Sequence, residues 1–296
     1  MTSSPLVLFD ASWLAHRAKW AMRGISGQGT EIIFGFLEQL RATCLNPKVR
    51  SNHTAIFFDS RHSLRRQIFP AYKAKRRDKS PEELVESKLM ADQVKRLRKE
   101  ILPSIGFPCY QQAGLESDDL MAEVALNWPG RGVVITADED LLQCISETVH
   151  WYDPSRDKYL DLGLMIQKKR VNPGDWVAVK CMAGCHTDGI PGIPGIGEKS
   201  ATDFLWRLLK GKKLDAINSH EGLAIAKRNH DLIRLPHQLT KPIVVADPKY
   251  DPDALFRWGE KLGFQSYFEP RRRQAWEAFF RGEMASADRM PVRKRK

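Results

Sequence analysis

The sequence predicts an α/β fold in which a mostly parallel central sheet is flanked by helices. Short apolar runs recur along the first half of the chain, and most of them end at an acidic residue. Segments with helical periodicity separate these runs. Continuous apolar runs are typical of strands that are buried on both faces of a parallel sheet, and their alternation with helices favours crossover connections.

Four apolar runs predict strands with carboxylates at their ends. They cover residues 6–9 before Asp10, 55–58 before Asp59, 133–136 before Asp138 and Asp140, and 149–152 before Asp153. A shorter strand-like run covers residues 107–110. Beyond about residue 172 the chain changes to helices that are punctuated by glycine and proline, and only residues 242–245 resemble a strand.

Helical patterns extend over about residues 29–44, 80–101 and 117–127. The second helix has the clearest start, since Ser80 can be its N-cap, Pro81 suits its first turn and Glu83 completes a capping box. We expect this helix to end before Pro103. These patterns divide the chain into an α/β core at 1–170, a helical region at 171–285 that packs on the core, and a basic disordered tail at 286–296.

The charge of the chain favours a nucleic-acid partner over a generally basic surface. The formal net charge is +11, from 47 Lys and Arg against 36 Asp and Glu. Eight cations fall between Arg61 and Lys79, with Phe69 and Tyr72 among them. Cations that follow phosphates and rings that stack on bases are typical of a channel for single-stranded nucleic acid.

Cysteine usage and hydropathy exclude two other classes of protein. Five cysteines, an odd number without zinc-type spacing, indicate reduced thiols and a cytoplasmic protein. No apolar run approaches the roughly 18 residues of a membrane span, and the first residues lack the pattern of a signal peptide. We therefore expect neither a membrane protein nor a secreted disulfide-rich scaffold.

The carboxylates predict a metal site. Ligands of open parallel sheets bind beyond the carboxyl ends of the strands, and this sequence places Asp10, Asp59, Asp138 and Asp140 there. A second acidic cluster, residues 116–119, begins a predicted helix, whose dipole alone could account for it. So many carboxylates stay ionised only beside cations, and hard oxygen ligands suit Mg²⁺ or Mn²⁺. Their number suggests two ions that clamp the reacting oxygens of a phosphodiester, as in a nuclease.

Residues 189–201 form an unusual glycine-rich stretch. A phosphate-binding P-loop is disfavoured because Glu198 separates Gly197 from Lys199. The stretch favours a helix–hairpin–helix, in which glycines let backbone N–H groups approach a phosphate at a helix N-terminus. A purely structural glycine-rich turn is the alternative.

Several separated blocks resemble the 5′ nucleases, a family that includes phage flap endonucleases and the 5′→3′ exonuclease domain of bacterial DNA polymerase I. The resemblance covers about residues 5–270. Its blocks are residues 8–17, 57–60, 71–76, 114–119, 136–141 and 188–201.

This resemblance implies a PIN-like core, a helical arch over about residues 61–100 and a helix–three-turn–helix DNA-binding region. It also implies a structure-specific 5′→3′ exonuclease and 5′-flap endonuclease for DNA replication and repair. The expected cofactors are two Mg²⁺ or Mn²⁺ ions, with K⁺ at the helix–three-turn–helix. The expected partner is DNA with 5′ flaps or 5′ ends on duplex, RNA–DNA hybrids included, and we expect a monomer.

The resemblance also assigns roles to single residues. The first ion is assigned to Asp10, Asp59, Glu116 and Asp118, and the second to Asp119, Asp138, Asp140 and Asp188. Lys73, Arg76 and Arg17 are placed at the scissile phosphate. The expected DNA contacts are Arg65, Arg66, Tyr72, Lys75, Arg77, Gly192, Gly195, Gly197, Lys199 and Ser200.

Two residues depart from the family pattern. Cys185 stands three residues before Asp188, where the family usually has aspartate, and His16 stands where tyrosine is common. The first change removes one carboxylate from the second ion, so a DNA-junction protein that binds without cleaving stays open as an alternative. A PIN-type ribonuclease is the other alternative, although it would need neither the glycine-rich stretch nor a long basic arch.

Overall fold

The computed structural model describes residues 4–22, 29–76 and 78–283. Arg77 and the tail expected at 286–296 lie outside these ranges.

The centre of the described chain is a six-stranded, mostly parallel sheet in the order β3-β2-β1-β4-β5-β6. Its strands are β1 Leu6–Asp10, β2 Thr54–Phe57, β3 Cys109–Tyr110, β4 Gly132–Ile135, β5 Val149–Asp153 and β6 Lys158–Leu160. Neighbouring strands are parallel except β5 and β6. Every residue of β1, β2 and β4 is buried, which explains their continuous apolar sequence. The predicted α/β class is therefore confirmed.

Helices surround this sheet. They are α1 Ala11–Ala21, α2 Glu31–Leu45, α3 Arg65–Ile68, α4 Pro81–Arg96, α5 Leu102–Ile105, α6 Ser117–Asn127, α7 Leu162–Lys169, α8 Pro173–Ala183, α9 Glu198–Leu205, α10 Lys212–Asn218, α11 His220–Ile233, α12 Pro252–Lys261 and α13 Pro270–Phe280. Short 3-10 helices cover Ala74–Arg76, Glu139–Cys144, His186–Asp188 and Gln265–Phe268. Two further strands, β7 Gly184–Cys185 and β8 Ile190–Pro191, pair antiparallel. Within the described ranges, no helix is long and apolar enough to cross a bilayer.

Alternate residues of the central strands pack on opposite faces of the sheet. Val7 and Phe9 join one hydrophobic cluster with α1, α2, α5, α12 and α13, while Leu6 and Leu8 join a second cluster with α6 and α8. The region after residue 170 therefore contributes to both faces.

The helix that begins after Ser80 starts as predicted but ends later. Ser80 Oγ accepts a hydrogen bond from the Glu83 backbone N–H, and the Glu83 carboxylate accepts one from the Ser80 N–H at 2.9 Å. The expected end before Pro103 is wrong, because a π-helical turn over Leu97–Ile101 leads directly into α5, which holds Pro103 in its first turn. A proline without an N–H is tolerated in the first turn of a helix, and Leu102 and Ile105 of α5 are buried in the core.

The strand expected at residues 242–245 is also absent from this part of the structure. Ile243 and Val245 pack against the second hydrophobic cluster, which accounts for their apolar character. The backbone on either side of this segment bonds to side chains instead of to a neighbouring strand. The N–H of Lys241 donates to Gln112 Oε1, and the N–H of Ala246 donates to Tyr110 Oη.

Candidate active site

Two strand ends and a helix start meet at the carboxyl edge of the sheet. Asp10 ends β1, and its Oδ1 accepts hydrogen bonds from the Trp13 N–H at 3.1 Å and the Ser117 hydroxyl at 3.2 Å. Asp59 follows β2, and its two oxygens accept from the Ser117 N–H at 2.8 Å and the Ser12 hydroxyl at 2.6 Å. Ser117, the first residue of α6, thus holds both aspartates in place.

These carboxylates line a cleft of about 720 Å³. Asp118, Asp138 and Asp140 line it too, so the structure brings five of the eight expected metal ligands together there. Asp138 begins the 3-10 helix after β4 and accepts a hydrogen bond from the Asp140 N–H at 2.8 Å. The clustering follows from the sheet, whose parallel strands deliver their C-terminal residues to one edge.

Lys73 and Arg76 face this cleft from the segment between β2 and β3. The Lys73 ammonium lies 2.8 Å from Glu116 Oε2 and 3.5 Å from Asp188 Oδ2. The Arg76 guanidinium lies 2.8 Å from Asp188 Oδ1. Glu116 and Asp188 do not line the cleft itself in the described structure, but they bind the two cations that do.

Burial, and after it repulsion between neighbouring carboxylates, raises the pKa values of the aspartates in the cleft. Burial, together with Asp59 and Asp138, raises the pKa of Asp10 to about 7, and burial with Asp138 raises that of Asp140 to about 7. Burial and neighbouring aspartates also raise the pKa of Asp118 and of Asp138. A bound cation would relieve this cost, because it favours the ionised form of every carboxylate around it.

Two buried oxygens in the cleft have the chemistry of metal ligands. Oδ1 of Asp118 accepts no hydrogen bond from any described residue, and the contact of Asp140 Oδ1 is an ion pair with the Lys180 ammonium, 3.4 Å away. A buried carboxylate oxygen without a donor is costly unless a cation or water meets it. The donor set therefore fits a hard divalent ion.

The pairing of Lys73 with Glu116 keeps both groups charged. Although burial opposes the charged form of each residue, Glu116 and Asp188 raise the pKa of Lys73, and Lys73 with Arg65 lowers the pKa of Glu116. The Lys73 ammonium is therefore available to a bound phosphate at any physiological pH.

Asp119 and Arg65 do not belong to the cleft, which corrects two sequence-based assignments. Arg65 is 3% exposed and donates to both carboxylate oxygens of Asp119, at 2.6 and 2.7 Å. The same carboxylate accepts from the backbone N–H groups of Glu116 and His237. Asp119 has no oxygen left for a metal, and Arg65 is too buried to contact DNA. Their pair instead joins α3 to the start of α6.

Breaking this pair should destabilise the protein strongly. Arg65→Ala leaves the carboxylate of Asp119 buried without its counter-ion, which costs about 3–5 kcal/mol of the free energy of unfolding. The measurement is urea denaturation followed by circular dichroism. Arg61→Ala is the control, because this exposed cation should cost less than about 0.5 kcal/mol. Equal stabilities of the two variants would contradict a structural role for the pair.

Other expected DNA contacts are also differently placed. Tyr72 is 2% exposed and its hydroxyl lies 2.7 Å from Glu116 Oε2, so its ring cannot stack on a base. Ser200 is buried and accepts from the Lys213 ammonium at 2.9 Å. A Cβ on Gly192 would lie 2.2 Å from the Ala183 carbonyl oxygen, so close packing of backbones, and not DNA, explains that glycine.

Some of the remaining expected contacts lie at the surface of the protein. Gly195 and Gly197 have open space where a side chain would stand, and Lys199 is exposed just inside α9. Arg66 is half-buried in α3, and Lys75 lies in the 3-10 helix Ala74–Arg76. The Arg17 guanidinium lies over the Trp13 ring at 5.4 Å and is not among the described residues that line the cleft.

Sequence reasoning missed Lys180. This residue of α8 lines the cleft, and its ammonium lies 3.4 Å from Asp140 Oδ1 and 3.5 Å from Glu198 Oε1. A single lysine within the apolar stretch 176–183 was the available signal, because a buried lysine requires a partner. His16 also lines the cleft, where burial and the nearby Arg76 lower its pKa.

The substituted position, Cys185, lies beside two of the acidic residues. Ligand atoms of Asp140, Cys185 and Asp188 lie within 4.8 Å of one another. The Cys185 thiol contacts the Thr187 hydroxyl at 3.2 Å, and burial raises its pKa to about 11.

Comparison with known proteins shows the family and the fold of this chain. The family model described as 5′-3′ exonuclease, N-terminal resolvase-like domain, matches residues 5–172. A 5′-3′ exonuclease from Aquifex aeolicus is 31% identical over 207 residues, which are 68% of this chain and 68% of that protein. DNA polymerase I from Rhizobium leguminosarum is 29% identical over 275 residues, or 83% of this chain. The chain spans only 26% of that polymerase.

Solved structures share the fold. The T5 D15 protein, crystallised with metal ions, has a TM-score of 0.66 and 18% identity, covering 95% of this chain and 100% of its own. The catalytic core of Rad2 in complex with a DNA substrate has a TM-score of 0.54 and 16% identity, covering 95% of this chain and 92% of its own. The fold is thus that of the PIN-like 5′ nucleases. By its sequence match, the chain belongs to the 5′-3′ exonuclease family.

Proposed function

We propose that this chain is a structure-specific, divalent-metal-dependent 5′ nuclease that acts on DNA as a 5′→3′ exonuclease and 5′-flap endonuclease. The observation that carries the proposal is the cleft in which five aspartates face Lys73 and Arg76. The family membership of the chain supports the same activity. We assign this activity to replication and repair, where flaps and primers are removed.

Two Mg²⁺ or Mn²⁺ ions are the cofactors that this donor set fits. We assign the first ion to Asp10, Asp59 and Asp118, with Glu116 beside them, and the second to Asp138, Asp140 and Asp188. Such ions, when bound, supply Lewis acidity that activates water and neutralises the phosphodiester. Asp119 is left out of this set because its partner is the buried Arg65, which does not line the cleft, whereas the cations that contact Asp188 do line it.

Lys73 and Arg76 are assigned to the scissile phosphate. Both cations line the cleft. Lys73 donates a hydrogen bond of 2.8 Å to Glu116, and Arg76 donates one of 2.8 Å to Asp188. Donors that are fixed before the substrate arrives stabilise developing charge without a reorganisation cost. Glu116 and Asp188 would therefore position the cations as well as contribute negative charge near the ions.

The substrate that we propose is DNA with a 5′ single-stranded flap or a 5′ end on duplex, RNA–DNA hybrids included. Lys73 and Arg76 of the basic segment 61–100 line the cleft, and we assign to this segment the arch that the single strand threads. We assign duplex binding, with K⁺, to the turn before α9, within a helical region at 171–285. The protein would act as a monomer.

The open glycine at the start of α9 offers a test of duplex binding. Gly197 has a φ of −105° and nothing within 4 Å of an added Cβ, so Gly197→Val should fold normally. The valine side chain would keep a phosphate from the backbone N–H groups there. Losing one hydrogen bond to a charged group costs about 1.5–3 kcal/mol, so affinity for flapped duplex should fall by about 10- to 100-fold.

Fluorescence anisotropy in Ca²⁺ measures this affinity, with a short single strand as the second ligand. Gly174→Val is the matched control, because Gly174 is equally open and lies in the first turn of α8. Equal losses for duplex and single strand, or equal losses in both variants, would show that Gly197 makes no duplex contact.

The proposed activity is tested by offering the same 5′ flap as DNA and as RNA. We expect Mg²⁺-dependent cleavage of the DNA flap and no cleavage in EDTA. Preference for the RNA flap would favour the PIN-type ribonuclease instead. Tight binding of the DNA flap without cleavage in Mg²⁺ or Mn²⁺ would favour the junction-binding alternative.

A further inference from the structure

Two tryptophans hold the backbone of the 3-10 turn that follows β4. The indole N–H of Trp151 donates to the carbonyl oxygen of Asp138 at 3.1 Å. The indole N–H of Trp176 donates to the carbonyl oxygen of Glu139 at 2.8 Å. Trp151 belongs to β5 and Trp176 to α8, and they are 0% and 1% exposed within the second hydrophobic cluster. Two rigidly packed rings from different elements therefore fix successive carbonyls of the turn.

The next carbonyl of the turn is held in the same way. The side-chain amide of Gln143 donates to the carbonyl oxygen of Asp140 at 2.7 Å. Gln143 is itself buried, and its Oε1 accepts from the backbone N–H of Leu235 at 2.8 Å. Three consecutive carbonyls, at positions 138–140, thus each accept a hydrogen bond from a buried side chain. The first and the last of them belong to Asp138 and Asp140, which line the cleft.

The side chain between these two carboxylates is fixed as well. The Glu139 carboxylate lies 2.8 Å from the Lys158 ammonium and 2.7 Å from the Lys169 ammonium. Lys158 belongs to β6 and Lys169 to α7. Four elements, β5, β6, α7 and α8, therefore hold one short turn in place through side-chain contacts.

We propose that Trp151 and Trp176 are positioning residues for the second ion. Their indole N–H groups fix the backbone from which two of its assigned ligands, Asp138 and Asp140, extend. The inference rests on the proposed function for the presence of that ion. It goes beyond that function by giving a role to two buried side chains that are not themselves assigned to an ion or to DNA.

Ligands that are fixed in advance favour ion binding in this chain for two reasons. The ionised carboxylates of Asp138 and Asp140 repel each other, and a restrained backbone keeps them together before the ion arrives. The ligand atoms of Asp140, Cys185 and Asp188 lie within 4.8 Å of one another, so a thiol stands where an oxygen would suit Mg²⁺ better. The second ion therefore depends on carboxylates that need little further ordering when it binds.

The test is Mn²⁺ binding, which is measured without DNA and without cleavage. Metal-free full-length protein is titrated with Mn²⁺, and the free ion is followed by its electron paramagnetic resonance signal. We expect two Mn²⁺ ions per chain, and Asp140→Asn identifies the binding step that belongs to the second ion. Trp151→Phe and Trp176→Phe keep a buried aromatic ring but lose the N–H donor. Each should raise the dissociation constant of the second ion by about 10- to 100-fold and leave that of the first ion unchanged.

Trp128→Phe is the matched control. Its indole N–H also donates to a backbone carbonyl, that of Arg131 at 3.1 Å, but Trp128 is not among the described residues that line the cleft. This variant should leave both dissociation constants unchanged, and circular dichroism with urea denaturation monitors the fold of all variants.

Several results would overturn the proposal. They are a parent that binds a single Mn²⁺, a folded Trp151→Phe or Trp176→Phe that keeps the parent affinity for the second ion, an equal loss for both ions, and the same loss in Trp128→Phe. Unfolding of both cleft variants would also overturn it, since the two indoles would then serve the core as a whole. Flap cleavage by the parent without the expected loss in the variants would refute this inference alone. The expected loss in a protein that leaves flaps uncut would refute only the proposed function.

Discussion

Asp118→Asn should abolish cleavage of a 5′-flap DNA while leaving DNA binding nearly unchanged. Asp118 lines the cleft, and its Oδ1 is buried without a hydrogen-bond donor among the described residues, as expected of an oxygen that serves a metal. Asparagine keeps the shape of the side chain but removes the charge. Since burial and neighbouring carboxylates raise the pKa of Asp118, removing its charge relieves repulsion and should not destabilise the fold.

Single-turnover cleavage in Mg²⁺ measures the loss, and anisotropy in Ca²⁺ measures binding. Glu123→Gln is the matched control, because Glu123 lies on the same helix, α6, outside the described cleft lining. The control should cleave at the parent rate. Turnover of Asp118→Asn near the parent rate would contradict the assignment of this carboxylate to a metal.

Lys73→Ala should lower the single-turnover rate by about 10²- to 10³-fold while changing DNA affinity much less. Removing one preorganised donor to developing negative charge typically has this effect. The Lys73 ammonium is held by Glu116 at 2.8 Å at the edge of the cleft, so it is fixed before a phosphate arrives. Lys73→Gln distinguishes the contribution of the positive charge from that of the hydrogen bond. Glutamine can still donate to Glu116, but it carries no charge.

Lys79→Ala provides the control for general loss of charge. Lys79 belongs to the same basic segment but donates to Ser87 at 2.6 Å on α4. It should change affinity modestly and the rate very little. If Lys73→Ala instead weakens affinity at an unchanged rate, Lys73 only follows the DNA backbone.

The sequence predicted the sheet and the strand-end aspartates for a simple physical reason. Fully buried strands need unbroken apolar residues, so a carboxylate that interrupts the pattern marks the end of the strand. Asp10 and Asp59 illustrate this, as does Asp138 three residues after β4. Parallel pairing then brings these ends together whatever their separation in the sequence.

Ion pairs between residues that are far apart in the sequence could not be predicted in the same way. Arg65 and Asp119 stand in motifs rich in charge, and nothing local distinguishes a residue that faces substrate from one that pairs inside the protein. Lys180 was missed for the same reason, because its partner Asp140 lies forty positions away in the chain. The continuation of the helix past Pro103 depended on a π turn, which local propensity does not encode.

The central claim is that the cleft cuts DNA at the junction between single strand and duplex, and mapping the cut tests it most directly. The parent protein is incubated in Mg²⁺ with 5′-flap DNAs of the same duplex and different flap lengths, and the product ends are located on a sequencing gel. We predict that the main cut stays at the junction for every flap length and disappears in EDTA. Flaps that are bound but left uncut in Mg²⁺ and Mn²⁺, or cuts scattered without regard to the junction, would contradict the account.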